Sequence, residues 1–276
     1  MRRRSLFAVA AAPLAGAAAA ALSAPTSQRI GFALGSGAVH GWAHIGVVRA
    51  CERLGLKPFA IAGTSAGAAV AALWAAGVLS EQMVTLAAQL GWSQAGPLAW
   101  SSRGLRRTDD LRDLINAALG RRPIEALPVR LATVASDALS GEAVVLDRGS
   151  AGLAVAASSA VPVWFEPVRI GGRDLMDGSL TAPVPVDAAR QLGAQVVVAV
   201  DVGYRPYEKA PAGMVDLAFQ SMHILTNALS REQSRRAEHV IKLDLHHLMH
   251  GGLDTAALVE AGEAAMLDLA PALMRR

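Results

Sequence analysis

The sequence predicts an α/β fold in which a central, mainly parallel sheet is covered by helices on its faces. Three observations carry this prediction. An apolar strand, a glycine-rich turn and a helical pattern succeed one another twice within residues 29–77. The valine run at 195–200 has the composition of a strand buried on both sides. Between and after these segments, helical and strand-like stretches alternate, and no linker divides residues 29–276 into two domains.

The elements follow in order. Residues 29–34 read as the first strand and 42–54 as a helix, with Ile45, Val48 and Leu54 on one face and Gly55 ending it. A second buried strand at 58–62 runs into Gly63-Thr64-Ser65-Ala66-Gly67 and an Ala-rich helix that ends at Gly77. Residues 80–90 read as a helix, 94–104 as a loop containing Pro97, and 109–119 as a helix for which Thr108 is a suitable cap. A strand at 129–135 has a candidate hairpin partner at 142–146. A short helix of small residues at 151–159 stops before Pro162. A helix at 214–236, a strand at 240–243 and a helix at 254–266 complete the chain.

An apolar fraction of 53% and a charged fraction of 18% over 276 residues describe a chain able to bury a large core. The 26 Lys and Arg exceed the 23 Asp and Glu by three, which is the number of arginines at positions 2–4. The rest is formally neutral, so bulk charge gives no reason to expect nucleic-acid binding. Arg2-Arg3-Arg4 precede a polar Ser5, Leu6-Phe7 and an Ala-rich apolar stretch to Leu22. This pattern resembles a twin-arginine export signal over residues 1–24. It predicts an exported, periplasmic protein, or a membrane-anchored one if the segment stays uncleaved. Cys51 has no partner cysteine in the chain and reads as a small buried hydrophobe.

The chemistry centres on Gly63-x-Ser65-x-Gly67. A serine hydroxyl becomes a useful nucleophile when a base takes its proton and its geometry presents it to a carbonyl. Small residues two before and two after allow a sharp strand-to-helix turn that exposes Ser65 at the carboxyl end of the sheet, at a helix N-terminus that favours developing negative charge. The turn at 35–41, with Gly35, Gly37 and Gly41, lies one strand earlier and so at the same sheet edge. Its backbone N–H groups at Gly37 and Ala38 can converge on a small anion, the oxygen of a tetrahedral intermediate. A dinucleotide loop is the alternative. However, Gly35-x-Gly37-x-x-x-Gly41 is one residue too long, no acidic ribose ligand ends the next strand, and no Walker Gly-Lys-Ser/Thr follows.

Two bases compete. A conventional triad needs a late histidine, and His239 or His246 could serve; neither stands in a glycine-bounded loop directly after a strand. The alternative is Asp177, where Gly178 lets the chain turn at once and the carboxylate enter a pocket. Burial beside Ser65 would strengthen it as a base. A plain Asp-Gly turn is the other reading. His246-His247-x-x-His250 lacks the His-Glu-x-x-His pattern and reads as surface histidines, with no metal site.

Together these motifs resemble the patatin-like phospholipase family, in particular its compact bacterial members. The likeness spans about residues 30–202 through three ordered motifs: Gly35 to Gly41, Gly63 to Gly67, and Asp177-Gly178. Residues 157–162 and 183–186 resemble the family's segments before and after the aspartate. The resemblance implies a patatin-like three-layer α/β/α fold and a Ser65–Asp177 dyad that hydrolyses acyl esters of lipids, without cofactor or metal. It implies a lipid or other acyl-ester substrate and transient contact with a membrane surface. The departure is His40, where the family usually has Arg or Lys; it bears on phospholipid preference rather than on ester hydrolysis. His44 reads as a packed, hydrogen-bonded residue. The loop at 94–104 and residues 163–165 are candidate walls of an acyl site, and Trp92, Trp100 and Trp164 read equally as core residues. A Ser-His-Asp carboxylesterase and a non-catalytic binding protein on the same sheet are the rival readings.

Overall fold

In the computed structural model, residues 28–90, 98–101, 104–106, 108–203, 210–245, 248 and 253–274 are described. The expected export signal at 1–24, Trp92, and His246, His247 and His250 lie outside them. So does part of the expected loop at 94–104.

The first half alternates strand and helix as its sequence pattern requires: β1 (Ile30–Leu34), α1 (Trp42–Leu54), β2 (Ala60–Thr64), α2 (Ala66–Ala75) and α3 (Ser80–Leu90). Next come β3 (Leu98–Ser101), β4 (Gly104–Arg106), α4 (Asp109–Ala118), β5 (Arg130–Asp137), β6 (Ala143–Leu146) and α5 (Ala151–Ser158). The chain ends with β7 (Val168–Ile170), β8 (Arg173–Asp177), α6 (Val186–Gln191), β9 (Val196–Asp201), α7 (Met214–Ser234), β10 (His239–Lys242) and α8 (Thr255–Met274).

The main sheet has the order β10-β9-β1-β2-β5-β8-β7, with β6 also on β5. Pairing is parallel from β10 to β5 and antiparallel among β5, β6, β7 and β8. Period-two alternation sorts the strands' side chains between two cores. Phe32, Leu34, Ile61, Leu131, Val198 and Val200 enter the larger one, which α1, α2 and α8 cover. Ala33, Ala62, Ala132, Val197 and Ala199 face the smaller one, where alanines let α6 sit close to the sheet. Helices on both faces make the expected three-layer α/β/α arrangement.

One topological detail builds the site. β5 has three partners and a strand has two edges. β6 pairs with Thr133–Ser136. It overlaps the stretch bound by β2 (Arg130–Val134) and the stretch bound by β8 (Ala135–Asp137), so β2 and β8 must share the other edge. β8 runs antiparallel, so its last residue, Asp177, opposite Ala135, meets the end of β2, where Thr64 lies opposite Val134. Two strands distant in sequence thus meet end to end, which brings residue 177 beside residue 65. Gly178 permits the approach: a Cβ there would lie 2.0 Å from the Val134 carbonyl oxygen.

The structure differs from the sequence reading in several places, and α6 is a helix that the sequence reading does not include. The expected loop at 94–104 contains β3 and the first residue of β4, which pair antiparallel. Gly171-Gly172, both at positive φ, close a β7–β8 hairpin, a two-residue turn signal that the sequence reading passes over. Thr108 precedes α4 without a side-chain cap bond, and Asp109 and Asp110 supply the favourable first-turn charge instead. α8 continues to Met274 through Pro271, eight residues beyond the expected end. Its buried face carries on through Ala270 and Leu273, and that packing outweighs the amide donor that the proline removes.

Candidate active site

Ser65 is the single residue between β2 and α2, at φ 56° and ψ −121°. A non-glycine residue held at positive φ costs about 1–3 kcal/mol and persists where its surroundings over-determine it. Here they do. The Ser65 carbonyl accepts from the N–H groups of Ala68 (2.9 Å) and Ala69 (3.2 Å), which locks the first turn of α2. The Ser65 N–H, turned out of the sheet ladder, donates to Ser158 Oγ at 2.9 Å, and Ser158 Oγ–H donates onward to the Val134 carbonyl at 2.5 Å. Gly67 makes the turn possible sterically, since a Cβ there would stand 2.2 Å from Leu34 O and 2.6 Å from Gly35 O. Gly63 faces the Gly67 carbonyl in the same way, at 2.4 Å.

Asp177 is almost completely buried. Its N–H donates to Ala160 O (2.9 Å) and its carbonyl accepts from Ser136 Oγ (2.9 Å), so the backbone is fixed on both sides. The two carboxylate oxygens divide their work. Oδ1 accepts the Ser179 N–H at 2.8 Å, and Oδ2 accepts Ser65 Oγ–H at 2.7 Å. Burial raises the Asp177 pKa above the usual carboxylate value, while the bonds from Ser179 and Ser65 pull the other way and lose. A carboxylate kept out of water is a stronger base than an exposed one, and this one is in direct contact with the hydroxyl proton.

The glycine loop completes the corner. The N–H groups of Gly35 and Ser36 are committed to Val200 O (2.9 Å) and Pro183 O (2.8 Å). Those of Gly37 and Ala38 have no hydrogen-bond acceptor among the described residues. Ala38 sits at φ 44°, a second strained non-glycine residue at the site, in the short 3-10 turn Ala38–Gly41. Gly41 packs against the start of α2, where a Cβ would lie 2.6 Å from Ala66 Cβ. His44 holds the loop from behind: its Nε2 is 2.7 Å from the Gly35 carbonyl. Burial pushes the His44 pKa down to about 4, so the ring is neutral at pH 7 and the carbonyl acceptor places its proton on Nε2. His40 is buried, with Nδ1 3.1 Å from Val202 O, and is not part of the cleft wall.

Ser65, Asp177, Gly37 and Ala38 all line one cleft of about 340 Å³. Its far wall is α7. Trp164, expected as wall, is there and stacks on Phe219 with ring centroids 5.8 Å apart. Sequence reasoning did not find Phe219, Met222, Asn227 and Ser230 of α7, nor Asp201 at the end of β9. It also missed Ser158, whose hydroxyl nothing distinguishes within a run of small residues. His239 is excluded as the base. It begins β10 opposite Val198, three strands from β2, about 14 Å sideways at ordinary strand spacing. Cys51 is buried and unpaired, and burial pushes its thiol up to about 12, as an inert core residue requires.

The sequence profile of patatin-like phospholipases matches residues 32–190. An NTE family protein of Mycobacterium tuberculosis is 34% identical over 179 residues, which is 64% of this chain and 50% of that one. Neuropathy target esterase of Drosophila melanogaster is 28% identical over 190 residues, covering 64% of this chain and 13% of the other. The chain thus spans half or less of the length of these curated relatives. Among solved structures, VipD from Legionella pneumophila superposes with a TM-score of 0.58 at 15% identity, covering 91% of this chain and 68% of that one, a likeness of fold. With the profile matched over more than half its length, the chain belongs to the patatin-like phospholipase family.

Proposed function

We propose that this protein is a serine hydrolase of lipid acyl esters that works through a Ser65–Asp177 dyad. The observation that carries the reading is the 2.7 Å hydrogen bond from Ser65 Oγ to a buried Asp177 carboxylate at the floor of an open cleft. Ser65 Oγ attacks the ester carbonyl carbon as its proton passes to Asp177 Oδ2. The carbonyl oxygen becomes an oxyanion, for which the N–H groups of Gly37 and Ala38 are donors with no other engagement among the described residues. Collapse breaks the bond to the alkoxy oxygen, which leaves as the alcohol with the proton from Asp177, and the acyl group stays on Ser65. Water then attacks the acyl-enzyme, Asp177 takes its proton, and the fatty acid leaves as the proton returns to Ser65 Oγ.

The apolar side of the cleft supports an acyl chain as the acid part, each buried methylene contributing about 0.8 kcal/mol. Trp164 and Val215 of that wall are exposed, as are Val163, Met214 and Leu217 beside them in sequence. Such a cluster at a cleft mouth suits contact with the surface of a lipid aggregate. Among the described residues no helix is long and apolar enough to cross a membrane.

A fluorophosphonate probe tests the assignment. The wild type should label covalently, and the Ser65→Ala variant, folded by circular dichroism, should not. Folded wild type that resists the probe, or equal labelling of both proteins, overturns it.

A further inference from the structure

The cleft has two chemically different ends. Around Ser65 and along one side stand Val161, Pro162, Trp164, Leu180, Phe219 and Met222. At the other end are Asp201, Gly203, Asn227 and Ser230, drawn from the end of β9 and one face of α7. Asn227 and Ser230 are three residues apart and so share that face. Ser230 is 3% exposed, and among the described residues neither its hydroxyl nor the Asn227 Nδ2 has a hydrogen-bond partner. Buried donors left unmatched in a native protein call for an explanation, and a ligand that satisfies them is one.

Asp201 supplies the matching acceptor. It is 4% exposed, and its Oδ1 accepts the Gly203 N–H at 3.0 Å. The space left by the missing side chain of Gly203 lies between these groups: a Cβ there would be 2.9 Å from Asp201 Oδ1 and 3.4 Å from Asn227 Oδ1. A small hydroxylated group at this end could donate to Asp201 and accept from Asn227 Nδ2 and Ser230 Oγ.

Charge narrows the class further. The acidic residues along the cleft are Asp177, Asp201 and Asp216, and among its described lining residues there is no lysine or arginine. Among the described residues the ammonium beside Asp201 is that of Lys242 on β10, 3.7 Å from Oδ2, on a largely exposed side chain outside the cleft wall. A phosphate needs charge-assisted donors, with guanidinium groups best suited, and would here meet carboxylates instead.

We propose that the Asp201–Asn227–Ser230 end of the cleft binds the alcohol part of the ester, and that this part is an uncharged polyol. The substrate class is the glycerol ester of a fatty acid with free hydroxyls, a mono- or diacylglycerol, in preference to a lipid with an anionic phosphate headgroup. This rests on the hydrolase reading above and deepens it.

The test compares kcat/KM of the full chain on 1-oleoylglycerol, 1-oleoyl lysophosphatidylglycerol and p-nitrophenyl oleate. The glycerol ester should exceed the lysophospholipid by about tenfold or more. Ser230→Ala and Asn227→Ala should each lower the ratio of glycerol-ester to p-nitrophenyl-ester kcat/KM about tenfold, the usual effect of one lost hydrogen bond to a bound hydroxyl. The Tm of Ser230→Ala should hold or rise, because the hydroxyl removed has no partner in the fold. Gly203→Ala, which fills the gap, should shift the ratio in the same direction. Preference for the lysophospholipid, or ratios that do not move, overturns the proposal. If no ester is cleaved, the hydrolase reading fails by itself. Binding of the non-hydrolysable ether 1-O-octadecylglycerol to the Ser65→Ala protein then decides the subsite: Ser230→Ala should weaken it about tenfold, and equal affinity would refute it.

Discussion

Two helices meet at the same cleft, α2 through its capping residue Ser65 and α7 along its length, and they are built on opposite plans. Every residue of α2 is buried, and it consists of alanine and glycine with Val70, Leu73 and Trp74. In α7, only Ser230 and Ser234 are buried, while Met214, Val215, Leu217, Ile224 and Leu225 are exposed. α2 begins directly after Ser65 and presses backbone against backbone on the glycine loop. α7 lines the cleft with Val215, Phe219, Met222, Asn227 and Ser230. The groups proposed to carry out the reaction therefore stand where no atom can be added, whereas Asn227 and Ser230, proposed to choose the substrate, stand on a helix outside the sheet.

Substitution should expose this asymmetry. Gly67→Ala and Gly178→Ala each drive a methyl group onto a backbone carbonyl, that of Leu34 and that of Val134. Each is expected to cost about 4 kcal/mol in urea unfolding and to abolish activity, because the clash involves rigid backbone rather than a mobile side chain. A cost below 1 kcal/mol would mean that the closely packed half can yield after all.

The pH dependence of stability should come next in size. The His44 pKa falls from 6.5 in the unfolded chain to about 4 in the fold, so between these values the unfolded state binds the proton and the folded state does not. Stability is then complete above pH 6.5 and declines as the pH falls toward 4, by roughly 3 kcal/mol at most. His44→Gln, which can still donate to the Gly35 carbonyl, should flatten the decline. An unchanged slope would assign the effect to other groups. At the small end, Leu225→Ala, on the exposed face of α7, should change stability by less than about 0.5 kcal/mol. A larger loss would show that this face is covered in solution.

The same contrast explains what could be read in advance. The α2 side rests on local signals. Gly63-x-Ser65-x-Gly67, the turn at 35–41 and Asp177-Gly178 are each contiguous, and each contains glycine because backbone approaches backbone there, so the residues that meet at the proposed dyad and its loop were legible. The α7 side was not. Its residues pattern as a long helix, but nothing local says that Phe219, Asn227 and Ser230 face Ser65 from more than 150 positions away. Ser158 was hidden for a different reason, since a hydroxyl that bridges Ser65 N–H to Val134 O looks the same in sequence as one that only fills space. The end-to-end meeting of β8 and β2 depends on three strands sharing β5, a long-range property that no single segment records.

The most direct test of the account is the Asp177→Asn variant, which keeps the shape of the side chain and removes its basicity. The native Asp177 pKa is raised, so the folded state holds its proton more tightly than the unfolded one, and the stabilisation this gives at low pH is lost as the pH rises through the raised value. Above that value the ionised carboxylate is therefore a net cost to folding. Asp177→Asn is expected to be at least as stable as the wild type at pH 7 while kcat/KM on an oleoyl ester falls by about 10³, within the range for loss of a general base. Hydrolysis retained to within tenfold by a folded Asp177→Asn protein would contradict the dyad.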